Sequence, residues 1–268
     1  MRRMARALLP PGARRTVGEG YDWLRRLPQV PDAYLHPWRR ISRGLIHALK
    51  DSHLGERCFV IGNGPSLKDT DLAGLQNEVT FGANRIYLLF DRLGFSTTYY
   101  VSINDLVIGQ CVSDIEALAG TKFIAWHANR HFRRFPDDLA FLYTTYTGPQ
   151  FAYDMTRRIW EGATVTNVSL QLAYYMGFQK VILVGVDHSF STQGTPSQTV
   201  VSSGADPDHF SPEYFGKGFR WQLPDLRTSE VGYTLARRAF ERAGRQVVDA
   251  TIGGKLTVFP KVDYNSLF

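Results

Sequence analysis

Cysteine is scarce. The 268 residues hold only Cys58 and Cys111, far apart and without C-x-x-C spacing. That excludes a disulfide framework and a thiolate zinc site. Cys58, inside Cys58-Phe59-Val60-Ile61, reads as a small buried apolar residue. No stretch approaches the ~20 consecutive apolar residues of a membrane-spanning helix. The start, Met1-Arg2-Arg3-Met4, leads into too short an apolar run for a secretory signal. The plain expectation is therefore a chain of the reducing cytoplasm. Internal repeats and low-complexity blocks are missing as well. So are two familiar nucleotide loops: Gly-Lys-Ser/Thr of the Walker type and the G-x-G-x-x-G dinucleotide fingerprint. No D-x-D pair falls at a strand end, and Asp91, Asp105 and Asp187 are scattered singly, so no metal is expected.

Charge of one sign is also missing from most of the chain. The net charge is +6, yet residues 1–50 carry eleven Lys or Arg against Glu19, Asp22 and Asp32. That excess exceeds the whole surplus and leaves the remainder near neutral. A nucleic-acid footprint across the body is therefore not expected. The basic segment reads first as a disordered or surface-packed arm, with a peripheral contact to an anionic membrane at its inner face as the alternative.

With 44% hydrophobic residues the chain can build one large α/β core. Residues 1–50 form the basic arm, broken at Pro10-Pro11, Pro28, Pro31 and Pro37, with a helix from Ile41 to Leu49. Residues 51–268 then alternate strand and helix. Strands are expected at 57–61, 79–82, 99–103, 122–126, 180–186 and 246–249. Helices are expected from Asp69 or Thr70 to Leu75, at 86–93, from Ser113 to Leu118, at 164–176 and at 228–243. The rhythm is βαβ, and the fold class is α/β: a single Rossmann-like domain with a mainly parallel sheet. The aromatic middle, 127–160, is expected to form a lid-like insertion or substrate wall. Residues 189–225 are expected to be a long functional loop.

Polar residues follow the strands, where an open parallel sheet binds ligands. Gly62-Asn63-Gly64-Pro65-Ser66-Leu67 follows the first. Its glycines permit positive φ and close approach of an anion to backbone N–H groups; the same hexapeptide also reads as an ordinary turn. Asn84 follows the second strand, Asn104 and Asp105 the third, Asp187 and His188 a later one. Asparagine offers a donor and an acceptor to a base or ribose, or caps a turn. Asp206-Pro207-Asp208-His209-Phe210 sets a histidine beside carboxylates, as a general base or a surface histidine. His127, His131, Lys217 and Arg220 are further candidates for an anion.

Three blocks carry a resemblance: Val60-Ile61-Gly62-Asn63-Gly64-Pro65-Ser66-Leu67, Phe81-Gly82-Ala83-Asn84-Arg85-Ile86-Tyr87, and Tyr100-Val101-Ser102-Ile103-Asn104-Asp105. Their order and spacing are similar to the Campylobacter-type bacterial sialyltransferases. Gly162-Ala163-Thr164 and the run from Gly177 to Asp187 resemble that family's next block. The wider group includes the related domain of motility-associated flagellin glycosyltransferases and the 6-hydroxymethylpterin diphosphokinases. The resemblance spans roughly 57–268. It implies a CMP-sugar as donor substrate, with Gly62, Asn63, Gly64, Ser66, Asn84, Asn104, Asp105, Gly162, Thr164 and Asp187 around the nucleotide. It implies no cofactor, a hydroxyl on a glycan as acceptor, His209 as general base and Arg158 on the acceptor side. The family's tyrosine pair after the Gly-x-Asp strand is missing here. His188, Tyr214 or Lys217 would have to hold the leaving phosphate instead. Two alternatives stay open: a pterin diphosphokinase using ATP with Mg²⁺ on Asp105 and Asp187, and a non-catalytic nucleotide-sugar-binding subunit.

Overall fold

The computed structural model describes Leu24, Leu27 and residues 29–146 and 148–268. Most of the first part of the basic arm, with its proline breaks at Pro10-Pro11 and Pro28, lies outside the described residues. Eight parallel strands form one sheet: β1 (Arg57–Ile61), β2 (Thr80–Ala83), β3 (Tyr99–Ser102), β4 (Thr121–Ala125), β5 (Leu139–Thr145), β6 (Arg158–Trp160), β7 (Lys180–Val184) and β10 (Gln246–Asp249). A separate antiparallel pair, β8 (Thr199–Val201) and β9 (Arg220–Gln222), lies in the loop after β7. The described helices are α1 (Gln29–Leu35), α2 (Pro37–Ala48), the short α3 (Phe90–Leu93), α4 (Asp105–Ala117), α5 (Val165–Tyr175) and α6 (Leu226–Arg242). This is the α/β Rossmann-like architecture read from the sequence.

The spatial order is β10-β7-β1-β2-β3-β4-β5-β6. The chain steps outward from β1 to β6, then crosses back to β7 on the other side of β1. The order reverses between β1 and β7, and a crevice opens at the carboxyl ends of strands at such a point. Both faces of the sheet are covered, so the strands are apolar on both sides rather than alternating. Phe59 and Ile61 pack into one core layer with Val107, Ile108 and Ile115 of α4. Cys58 and Val60 pack into the other with Val168 and Leu172 of α5 and Ala236 and Phe240 of α6.

Four local expectations need correction. The segment 127–160 is not an irregular insertion: it contains β5, buried along its whole length, and β6. Helix α4 starts at Asp105 rather than Ser113, because the Asn104 side-chain oxygen Oδ1 accepts from the N–H groups of Leu106 (2.9 Å) and Val107 (3.3 Å) and caps it. Asp69 and Thr70 cap no helix; two 3₁₀ turns, Pro65–Lys68 and Ala73–Asn77, occupy that stretch. Helix α2 begins at Pro37, behind His36, whose Nδ1 accepts from Trp38 N–H at 3.2 Å.

Helix α2 also closes an edge. β6 pairs with β5 only over Tyr143–Thr145, which leaves Phe141 without a strand on that side. The Phe141 N–H donates to Ser42 Oγ at 2.9 Å, and the Phe141 carbonyl accepts from the fully buried Arg39 guanidinium. Arg39 also donates to the carbonyls of Ala33 (2.9 Å) and Thr156 (3.3 Å). Burial, reinforced by Arg43, pulls its pKa down to about 10. Two side chains thus supply the hydrogen bonds a neighbouring strand would give. Arg39→Ala should cost about 3 kcal/mol in urea unfolding, since it strands three carbonyls. Arg40→Ala, on the exposed side of the same helix, should cost less than about 0.5 kcal/mol. Equal losses for the two would contradict this role.

Candidate functional site

The crevice is built by the loops that leave β1 and β7 side by side. Gly62 N–H donates to Val184 carbonyl at 2.7 Å and Gly64 N–H to Gly185 carbonyl at 2.9 Å. A β-carbon on Gly62 would lie 2.2 Å from the Gly185 oxygen, and one on Gly64 would lie 1.7 Å from Asp187 Oδ2. The two glycines are needed for this approach and not for positive φ, which neither adopts. Positive φ occurs instead at Ala163 (59°), Gly185 (70°) and His188 (55°), which line the crevice, at Asn84 (51°) beside the larger cavity, and at Gly162 (58°) just before Ala163. Strained non-glycine backbone of this kind collects at functional sites.

Ser66 does not face the crevice. Its N–H and Oγ both donate to the Asp187 carboxylate, at 3.0 and 2.7 Å. Asp187 thereby locks the two loops together, and burial raises its pKa above the usual carboxylate range despite the Ser66 hydrogen bonds. Asn63 lines the crevice. Its Nδ2 donates to the Ala83 carbonyl at 3.1 Å, and its buried Oδ1 has no protein partner.

A cavity of about 140 Å³ lies against Gly62, Asn63 and Gly64, the first turn of α5, and Asp187 and His188. Thr164 caps α5, accepting from Thr166 N–H at 3.3 Å, so the helix amino terminus faces this space. A second cavity of about 270 Å³ lies beside Asn84, Asn104, Asp105, Phe215 and Trp221. Ala163, Thr164, Val165, Phe190, Pro224 and His209 belong to the walls of both. No lysine or arginine lines either one among the described residues.

His209 is the best-oriented side chain of the site. Its Nδ1 meets Asp206 Oδ2 at 2.7 Å, and its ring stacks on Tyr214 at 4.0 Å and 8°. Asp206 is itself fixed by the N–H groups of Asp208 (2.8 Å) and Phe215 (3.1 Å). The carboxylate fixes the tautomer, so Nδ1 carries the proton and Nε2 is left as a basic lone pair with no partner among the described residues. Asp208, next to it, accepts from Ser191 and Thr192 hydroxyls, each at 2.7 Å. Although burial opposes ionisation, the hydrogen bonds from Thr192 and Ser191 outweigh it and hold the Asp208 carboxyl below its ordinary range. The loop after β7 is thereby pinned to the His209 segment.

The remaining expected residues divide. His188 lines the first cavity, its Nε2 3.0 Å from Glu230. Asn84 accepts from Ser102 Oγ at 3.0 Å and Asn104 donates to Gln222 at 3.3 Å; both border the second cavity. Asp105 borders it too, but pairs with Arg130 and with His131 at 3.0 Å. Gly162 packs under Asn167 behind the α5 turn. Tyr214 is fully buried beneath His209, its hydroxyl accepting from Arg85 N–H at 3.3 Å, and burial holds it protonated far above the usual phenol range. Lys217 lines a separate open groove with Arg85 and Asp114. Arg158 sits on β6 with its guanidinium 5.2 Å from the Trp160 ring centre, outside both cavities. Asp105 and Asp187 line different cavities, and no group of three or more His, Cys, Asp or Glu gathers among the described residues. The structure therefore does not bring together Asp105 and Asp187, the pair that the diphosphokinase alternative names, although Asp208 lines the first cavity with Asp187. Of the two carboxylates that the sequence sets beside His209, the structure selects Asp206 as its partner; Glu230 as the partner of His188 was missed.

A family model described as 6-hydroxymethylpterin diphosphokinase MptE-like matches residues 33–193, more than half of the chain and short of the Asp206–His209 segment. No curated protein matches. Among solved structures, the MAf glycosyltransferase from Magnetospirillum magneticum AMB-1 is similar at 14% identity and a TM-score of 0.50. The alignment covers 87% of this chain and 39% of that one, so this chain spans well under half of that protein. The likeness is one of fold.

The central prediction of this geometry is non-additivity. Gly64→Ala should cost at least about 3 kcal/mol, because its methyl meets a held carboxylate. Adding Asp187→Ala should recover part of that loss, although Asp187→Ala alone is destabilising. A urea-unfolding double-mutant cycle with simple additivity would contradict the contact.

Proposed function

Because the chain belongs to the 6-hydroxymethylpterin diphosphokinase MptE-like family, we propose that it is a transferase that activates an acceptor hydroxyl and draws its donor from a nucleotide-activated compound. The observation that carries this is the Asp206–His209 dyad, whose histidine stands in the wall common to two cavities. A base in that position reaches a hydroxyl on one side and a donor on the other. The donor is a CMP-type sugar in the switch-point cavity, bound with its phosphate toward the α5 amino terminus. The acceptor hydroxyl belongs to a glycan in the larger, aromatic-lined cavity. His209 Nε2 takes the hydroxyl proton as the sugar leaves its nucleotide, and Asp206 holds the imidazole and its developing charge in place. No cofactor is needed.

Support comes from the charge of the walls. One phosphate can be met by backbone N–H groups and a histidine. A triphosphate carries more charge and is commonly met by lysine or arginine, and the described walls offer neither. The fold likeness to a glycosyltransferase points the same way. The family's own description favours a second reading, diphosphoryl transfer from ATP with Mg²⁺ to a pterin-like alcohol, in which the dyad would play the same part.

Two experiments separate these. In a thermal-shift panel of CMP, CDP, UDP, ATP and GTP, stabilisation by CMP without metal is expected. Stabilisation only by ATP with Mg²⁺ would move the assignment to the diphosphokinase. In a transfer assay with CMP-sugars, His209→Ala should lower turnover by at least about a hundredfold with the CMP-induced shift kept, and Asp206→Asn should follow it in direction. Normal turnover by His209→Ala would remove the base from the account, and CMP binding without any turnover by the wild type would leave a nucleotide-sugar-binding subunit.

A further inference from the structure

A leaving phosphate gains negative charge, and the cavity against the Gly62–Gly64 loop offers no lysine or arginine side chain among the described residues to meet it. We propose that His188, held by Glu230, is the catalytic residue that takes up this charge. The proposal rests on the nucleotide-donor reading above and names its phosphate-side group.

The other candidates are already committed. Both Ser66 donors go to Asp187, and the Asn63 amide donates to the Ala83 carbonyl. Tyr214 is buried beneath His209 and Lys217 borders another groove. His188 differs. Its side chain is only 7% exposed, in the wall of the cavity. Its backbone is held at φ 55°, a left-handed conformation strained for a residue with a side chain. The preceding carbonyl, that of Asp187, accepts from Lys255 N–H at 2.8 Å, which fixes the chain just before the bend.

Nε2 of His188 lies 3.0 Å from Glu230 Oε1. A carboxylate only accepts, so Nε2 carries a proton and Nδ1 is the atom free to serve a ligand. The groups around the ring are Glu230 and Tyr233 of α6, Asp187 on its own segment, and Asp208 and His209 across the cavity. With Nδ1 protonated, the ring bridges two anions, Glu230 and the phosphate, by charge-assisted hydrogen bonds.

The step balances. The acceptor oxygen bonds to the sugar carbon, and that carbon's bond to the phosphate oxygen breaks, its electron pair passing to the phosphate. The hydroxyl proton goes to His209 Nε2. His188 Nδ1–H donates to the departing phosphate oxygen, which leaves as a nucleoside monophosphate. Two histidines on one cavity wall thus hold opposite roles: one must be free of a proton, the other must carry one.

CMP and cytidine, titrated calorimetrically into the full chain, test this directly, because they differ only in the phosphate. The wild type should prefer CMP by roughly tenfold or more. His188→Asn, chosen because asparagine tolerates positive φ, should remove most of that preference while keeping the cytidine affinity. Glu230→Gln, altering a half-exposed side chain, should give an intermediate preference. An unchanged preference in His188→Asn overturns the role of His188 and leaves the CMP site standing. A wild type that binds CMP no better than cytidine overturns the donor reading, and this proposal with it.

Discussion

Everything at the site depends on how closely the loop after β1 approaches the loop after β7. Parallel pairing from Arg57–Lys180 to Ile61–Val184 delivers the two chain segments in register. Only a residue without a β-carbon can then pass beneath the Gly185 carbonyl and the Asp187 carboxylate. The contact forces Asp187 onto Ser66 and turns the following residue, His188, into the cavity wall. The glycine loop is thus less a cradle for an anion than a fitted joint. An anion must be met from other sides, those of the α5 amino terminus and His188.

A consistent division of labour follows. The acidic residues near the site mostly hold structure. Asp187 joins two loops, Asp208 pins Ser191 and Thr192, and Asp225 caps α6 through Thr228 N–H at 3.0 Å. Asp206 is turned to His209, which opens onto both cavities. With carboxylates spent on scaffolding and no fixed cations in the described walls, the cavities suit a substrate of low charge on a positioned imidazole. At the far edge, Arg39 and Ser42 of α2 complete β5, so this stretch of the basic arm packs into the core while its outer residues Arg40 and Arg43 remain exposed.

Much of this was legible in the sequence because strands buried on both faces write themselves as apolar runs. β1, β7 and β10 are of that kind, and the polar residues at their ends mark the crevice. β5 was hidden because its run ends in two threonines and follows the charged Arg133-Arg134 and Asp137-Asp138 pairs, which mimic a loop. The site was legible in residues more than in roles. Asn104 and Ser66 bear the right chemistry for a ligand, but helix capping and the Asp187 lock consume it. Tyr214 carries a phenol that its burial withdraws. His209 could be singled out because three carboxyl-bearing or aromatic neighbours surround it within a few residues; its exposure to two cavities depends on chain folding over far longer separations. The Glu230 partner of His188 lies 42 residues away and leaves no local signal.

The most direct measurement is a crystal structure of the chain bound to a non-transferable CMP-sugar analogue. The account predicts the phosphate between the Gly62–Gly64 loop and the first turn of α5, within hydrogen-bond distance of His188, and His209 Nε2 open to the face of the sugar turned toward the larger cavity. A nucleotide seated in the groove of Arg85 and Lys217, or one whose phosphate contacts neither α5 nor His188, would contradict it.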